Sequence, residues 1–297
     1  FFDAIKATLH LDPLVTNVDV FYANNKARES RVEPLNVQSG PYLSEYNIDI
    51  FGVYAINKMA PGHEFHGYWI YHHDKLIMPN KPTLPKDKKI NTAGALAQGK
   101  FAKSFDYYVE AAGQWGRQDG QPFGDAWAFS SDFGYTVEGT EATPVRVHAG
   151  YEYLSGNDAG AARGHGWDSS LSRFPRFSEL YTRLWTRETG MVGFETNLQR
   201  YIAGASYKPV PELEFVFDYN LLLQNNATVV PGFMTGKGDT RGNLFMGKAF
   251  YKITPYLGSH LWAECFLPSR VYTSNADPAW FLRWELTFTL ANQQKKK

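Results

Sequence analysis

The sequence predicts an all-β fold: an antiparallel up-and-down transmembrane β-barrel with about thirteen strands visible. Three observations point to it. Two-residue alternation recurs from end to end, with almost no helical periodicity. Most alternating segments exceed the roughly 5–6 residues of an ordinary soluble strand and reach the 9–11 or so that cross a membrane. The connections between them alternate between short and long. The stretch "LEFVFDYNLLLQ" (213–224) shows the pattern. Leu213, Phe215, Phe217, Tyr219 and Leu221 fall on one face, Glu214, Val216, Asp218 and Asn220 on the other.

In chain order, segment 3–12 turns through "PLV" into 16–25, where Val18, Val20 and Tyr22 oppose Asn17 and Asp19. A long connection, 26–44, leads to 45–57, and "MAPG" turns that into 63–75. After the long stretch 76–90, segments 91–102 and 105–117 meet at "KSF". A brief connection, 118–123, precedes 124–138, and "GTEAT" leads into 143–155. There Val145, Val147, Tyr151 and Tyr153 oppose Arg146, His148 and Glu152. The longest connection, 156–195, precedes 196–209, which turns at "PVPE" into 212–225. Stretch 226–240 leads to 241–254, "TPY" to 257–269, and 270–278 to 279–291. In that last strand Leu282, Trp284, Leu286, Phe288 and Leu290 oppose Arg283, Glu285, Thr287 and Thr289. Residues 1–291 read as one barrel domain and 292–297 as a polar, lysine-rich tail.

Short–long alternation is what a barrel with tight periplasmic turns and extended outer loops shows; nothing in a soluble sandwich would force it. About thirteen strands also enclose a lumen too wide to fill with side chains. The apolar face therefore belongs to lipid and the polar face to a hydrated interior, with every backbone donor paired to a neighbouring strand. Tyr107, Trp115, Trp127, Tyr135, Tyr201 and Tyr207 fit interfacial girdles. Composition agrees: aromatics are 16% of the chain, mean hydropathy is -0.39, and no apolar run approaches the roughly 18 residues of a membrane helix. A formal charge of +0 gives no basic surface for nucleic acid, and the single cysteine, Cys265, excludes an internal disulfide framework.

The chemistry expected inside is that of a wall. Inward cations by alternation are Lys6, Arg146, Arg200, Lys208 and Arg283; inward acids are Asp49, Asp106, Glu110, Asp132, Glu152, Glu214, Asp218, Glu264 and Glu285. Two readings stay open: a conduit whose cations meet an acidic cargo, or cross-strand ion pairs that stiffen the wall. The 156–195 loop carries Arg163, Arg173, Arg176, Arg183 and Arg187 among Trp167, Phe174, Phe177, Tyr181 and Trp185. Loops of about forty residues are functional or disordered, and aromatics argue against disorder. It either enters the pore or caps it from outside. "HGYWIYHH" sets His66 and His72 on one face with Glu64, short of the convergent set a metal needs. No G-x-S-x-G, H-E-x-x-H or phosphate loop occurs, and no enzyme or cofactor is expected.

Five stretches carry a resemblance to a known family: "FDYYVEAAGQWG" (105–116), "VRVHAGYEYLSGND" (145–158), "FSELYTR" (177–183), "NLQRYIAGASYKPVPELEFVFDYN" (197–220) and "LFMGKAFYKITPYLGSHLWAECFLPSR" (244–270). In this order they resemble the alginate-export family of Gram-negative outer-membrane β-barrels. "YEYLSGND" followed by "FSELY" is the most specific part. The resemblance implies an outer-membrane location, contact with lipid and lipopolysaccharide, and a larger barrel of eighteen strands, so N-terminal strands are expected ahead of Phe1. Two features depart from the family: Ala249 and Tyr251 stand where members carry an acidic pair, and "LTFTL" is followed by "ANQQKKK". The expectation is a channel for polar solutes or an exported, acidic polysaccharide, with Arg146, Arg163, Arg173, Arg176, Arg183, Arg187, Arg200 and Arg283 as pore residues. The alternative is a structural barrel, a scaffold or sheath for other envelope proteins, without transport.

Overall fold

A computed structural model of the chain describes residues 3–25, 46–76, 86–137, 143–157, 164–172, 175–191 and 193–289. Ten strands come first and in order: β1 (Asp3–Leu11), β2 (Thr16–Asn25), β3 (Tyr46–Asn57), β4 (His63–Leu76), β5 (Asp87–Phe101), β6 (Phe105–Gln118), β7 (Gln121–Thr136), β8 (Val145–Leu154), β9 (Leu198–Val210) and β10 (Leu213–Leu223). A small hairpin, β11 (Val229–Val230) and β12 (Met234–Thr235), precedes β13 (Thr240–Thr254), β14 (Leu257–Pro268) and β15 (Ala279–Phe288). All but the small hairpin join one 13-stranded sheet in sequence order. Every neighbour in it is antiparallel. The expected up-and-down architecture is what the chain adopts. No helix among the described residues is long and apolar enough to cross a membrane.

Strands β1 and β15 are the edges of the sheet and are not paired to each other. Each begins at the end of the sheet that bears the long connections, so the two run in the same sense. The sheet is thus not closed antiparallel on itself.

Alternation fixes the two faces. Phe215, Phe217, Leu282, Trp284 and Leu286 stand exposed on the outward face, with Leu282 and Trp284 showing 70% and 68% of their surface. Their neighbours Asp218 and Arg283 are held by polar partners on the inner face. One inward assignment is corrected. Asp49 pairs in register with Asn24 and His73 and takes a hydrogen bond from the outward Tyr22 hydroxyl at 2.8 Å, so it faces outward. It sits at the long-connection end, where the outer face meets water and a carboxylate is tolerated.

The connection 118–123 shrinks to a two-residue turn. Asp119 and Gly120 both take positive φ, 52° and 78°, as the hairpin turn type matching strand twist requires. The longest connection, read from the sequence as an ordered loop, holds the one α-helix among the described residues, α1 (Glu179–Thr189). Ser178 caps its start through Tyr181 N, and Gly190 ends it at φ 75°.

The core lies inside the sheet. Leu154, Leu198, Leu222, Leu244, Met246 and Phe266, inward residues of β8, β9, β10, β13 and β14, pack with Leu180, Tyr181 and Trp185 of α1. Near the long-connection end, beneath the helix, the inner wall thus combines this apolar cluster with buried charged residues such as Lys88 and Arg241.

Candidate functional site

The connection carrying α1 is fastened to inward side chains of six strands. At the helix start, Glu264 of β14 accepts from Ser178 Oγ at 2.5 Å, Glu179 N at 3.0 Å and Leu180 N at 3.1 Å. Glu179 N and Leu180 N are orphan donors of a first helical turn, and a carboxylate there also meets the positive end of the helix dipole. Arg283 of β15 pairs with Glu179 and lies 4.9 Å over the Trp262 ring.

Near the helix end, Arg241 of β13 is fully buried. It forks onto Glu188 at 2.5 and 2.8 Å and donates to Asn197 O at 3.0 Å and Tyr181 Oη at 3.4 Å. Tyr181 and Tyr272 hydroxyls meet at 3.0 Å. Burial pushes the Tyr181 phenol well above its usual range, so it stays a neutral donor or acceptor.

Ahead of the helix, Arg176 reaches Glu195 at 2.5 Å and also Glu152 of β8. Glu152 takes a second bond from Arg200 Nε at 3.0 Å, and Arg200 stacks 4.1 Å over Phe177. Further back, Lys88 of β5 stands between Asp74 and Asp168, 2.9 Å from each, and donates to Ser170 Oγ at 2.5 Å. Gln114 of β6 exchanges two 2.8 Å bonds with the Asp168 backbone. All three charged groups are almost wholly buried. Burial alone would raise the Asp168 carboxyl, but Lys88 and His72 outweigh it and hold it down at about 2.

The fastenings begin on β5 and end on β15, at opposite margins of most of the sheet. A segment tied to both must cross the space that the inner face encloses. Below it, Asp106, Arg146, Asp132, His148 and Asp218 form an unbroken chain of contacts on the inner face. Arg146 bonds Asp106 and Asp132 at 2.6 Å, and His148 bonds Asp132 at 2.6 Å and Asp218 at 3.0 Å. No group of described residues could hold a metal ion.

The eight arginines read as pore residues divide accordingly. Arg146, Arg176, Arg200 and Arg283 all lie inside and are all paired with carboxylates. Arg183 and Arg187, four apart on α1, are exposed, and Arg187 lies 4.3 Å over Phe233. Arg163 and Arg173 lie outside the described residues.

Sequence reasoning missed Lys88 and Arg241. Lys88 falls before the strand start read at 91, although the even-numbered series of Ile90 and Thr92 runs straight back to it. Arg241 opens its strand, and nothing local marks its partner, Glu188, 53 residues earlier.

With this geometry in view, comparison with known proteins is informative. The structure is similar to crystalline OccK11 (OpdR) of Pseudomonas aeruginosa, with a TM-score of 0.56 at 14% identity over 97% of this chain and 69% of that one. The COG4313 outer membrane channel of Pseudomonas putida aligns over 92% of this chain and 94% of that one, at 11% identity and a TM-score of 0.38. OmpT, an outer membrane protein of Vibrio cholerae, aligns over 97% and 95%, at 8% identity and a TM-score of 0.38. At such identities the likeness speaks to fold alone. No curated protein sequence matches the chain. A family model described as alginate export matches residues 42–228, well over half of the sequence and all of it from β3 to β10. The chain belongs to the alginate export family, a channel-type β-barrel of the Gram-negative outer membrane.

Proposed function

We propose that the protein is a passive conduit for polar solutes, saccharides among them, whose aperture is set by the connection bearing α1. The single observation that carries this reading is the crossing of the inner space by that connection, fastened to β5, β6, β8, β13, β14 and β15. An external cap would have no use for Glu264, Lys88 and Arg241, which all point inward from the wall. Buried ion pairs of this kind cost much to break, so the constriction is a fixed fitting rather than a mobile gate.

The paired arginines of the wall do not offer free charge to a cargo. Arg183 and Arg187 are the described arginines of the connection left exposed, and they are the groups we assign to contact with anionic solutes. Family membership supports a saccharide cargo.

The test is solute flux. Full-length protein in liposomes should pass small sugars with a rate that falls steeply as solute size grows. A folded barrel that admits no solute of any size would remove the transport reading and leave a structural one.

A further inference from the structure

We infer that the cavity beneath the connection is a binding subsite for one ring of an uncharged saccharide. The inference rests on the conduit reading but concerns a defined site within it. The cavity has a volume of about 340 Å³ and is walled by the inner faces of β3 to β8 and by the connection from Trp167 to Arg176.

Two features make it suited to a sugar. One is a laid-out aromatic surface. Tyr54 and Tyr68, cross-strand partners, hold their rings parallel within 2°, with centroids 5.5 Å apart. Tyr68 lies flat across β5 because Gly94 stands beneath it: a Cβ there would come within 2.5 Å of the ring. One ring face of Tyr68 is thus spent on the wall, and the Tyr54–Tyr68 pair lines the cavity. The C–H face of a pyranose packs against such a surface as other apolar groups do. Trp167 lines the same cavity from the connection.

The other feature is charge. The lining includes four carboxylates, Glu110, Glu152, Asp168 and Glu195; the last three are paired with Arg176, Arg200 and Lys88, whereas Glu110 is held by tyrosine hydroxyls. Glu110 takes the Tyr68 hydroxyl at 2.6 Å and the Tyr108 hydroxyl as well, which turns both rings toward it. Its remaining lone pairs accept from hydroxyls and repel anions. Arg176 Nη2 is buried and without a partner, so a donor is available for a ring or hydroxyl oxygen. Carboxylate acceptors, one spare donor and a flat aromatic face fit a neutral, hydroxyl-rich ring and disfavour an acidic one.

The test is calorimetric titration of the detergent-solubilised full-length protein with maltose and, separately, glucuronate. Maltose should bind and glucuronate should bind at least about tenfold more weakly. Tyr68→Ala should weaken maltose by about tenfold, which is roughly 1.4 kcal/mol, whereas Tyr68→Phe keeps the ring and should retain most of the affinity. Glu110→Gln should narrow the gap between the two sugars. Equal or tighter binding of glucuronate, no binding of maltose, or unchanged affinity in folded Tyr68→Ala would overturn the inference. Binding in detergent needs no flux. A silent pore that binds maltose would remove the conduit reading and leave the subsite; flux without maltose binding would do the reverse.

Discussion

Removing Glu188 is the sharpest perturbation of the fastened helix. Arg241 is wholly buried, and its two short bonds to Glu188 are its only pairing with a carboxylate among the described residues. Glu188→Ala leaves the guanidinium buried with neutral acceptors, Asn197 O at 3.0 Å, Tyr181 Oη at 3.4 Å and the Tyr272 hydroxyl, and no carboxylate among the described residues. Deleting one partner of a buried pair typically costs about 3–5 kcal/mol. At about 1.4 kcal/mol per decade, the population with α1 released should rise by roughly two to three and a half orders of magnitude. Trypsin reads that population directly. Arg183 and Arg187 are exposed but held in helix, and cleavage of a transiently opened segment tracks its open fraction. Cleavage within α1, after Arg183 and Arg187, should therefore quicken sharply in Glu188→Ala while the barrel stays intact. The double variant Glu188→Ala, Arg241→Met removes the stranded charge and should recover much of the protection. Protection in Glu188→Ala equal to that of the parent would refute the claim that this pair holds the helix.

Other outcomes follow from the same geometry. Glu264→Ala strips three donors of their acceptor at the helix start and should loosen the first turn of α1, seen as faster amide exchange at Glu179 and Leu180, with little change at Thr189. The Asp168 carboxyl, held at about 2, lies below the ordinary value near 3.9. Its contribution of roughly 2–3 kcal/mol is complete above about pH 4 and is lost as the pH falls toward 2. The emission of Trp167, beside it, should shift in that window. On the outward face, Phe217→Arg should cost about 2–4 kcal/mol of folding free energy in liposomes if it sits near mid-membrane, and Asp218→Asn far less.

Much of this architecture was legible because lipid imposes it. Where one strand face meets hydrocarbon and the other water, alternation is enforced residue by residue, as in 213–221 and 279–288, and the thirteen long strands emerge close to their expected bounds. Segment 46–57 shows where that signal fails. Ile48 and Ile50 point inward while Phe51 and Val53 point outward, so both faces are apolar and the side on which Asp49 falls cannot be read. The helix had its own signal, Ser178 at the start and Gly190 at the end, overshadowed by the density of arginine between them. The fastenings were out of reach in principle. Lys88 and Asp168 are 80 residues apart and Glu264 and Ser178 are 86, and no local spacing reports such pairs.

Single-channel conductance before and after excision of residues 164–190 tests the constriction most directly. The parent protein, reconstituted full-length, should give small, quiet, uniform steps. The excised form, shown to be folded by its resistance to detergent, should give steps several times larger, since the connection that crosses the inner space is gone. Steps of equal size in the two proteins would contradict the account and move α1 out of the path of solutes.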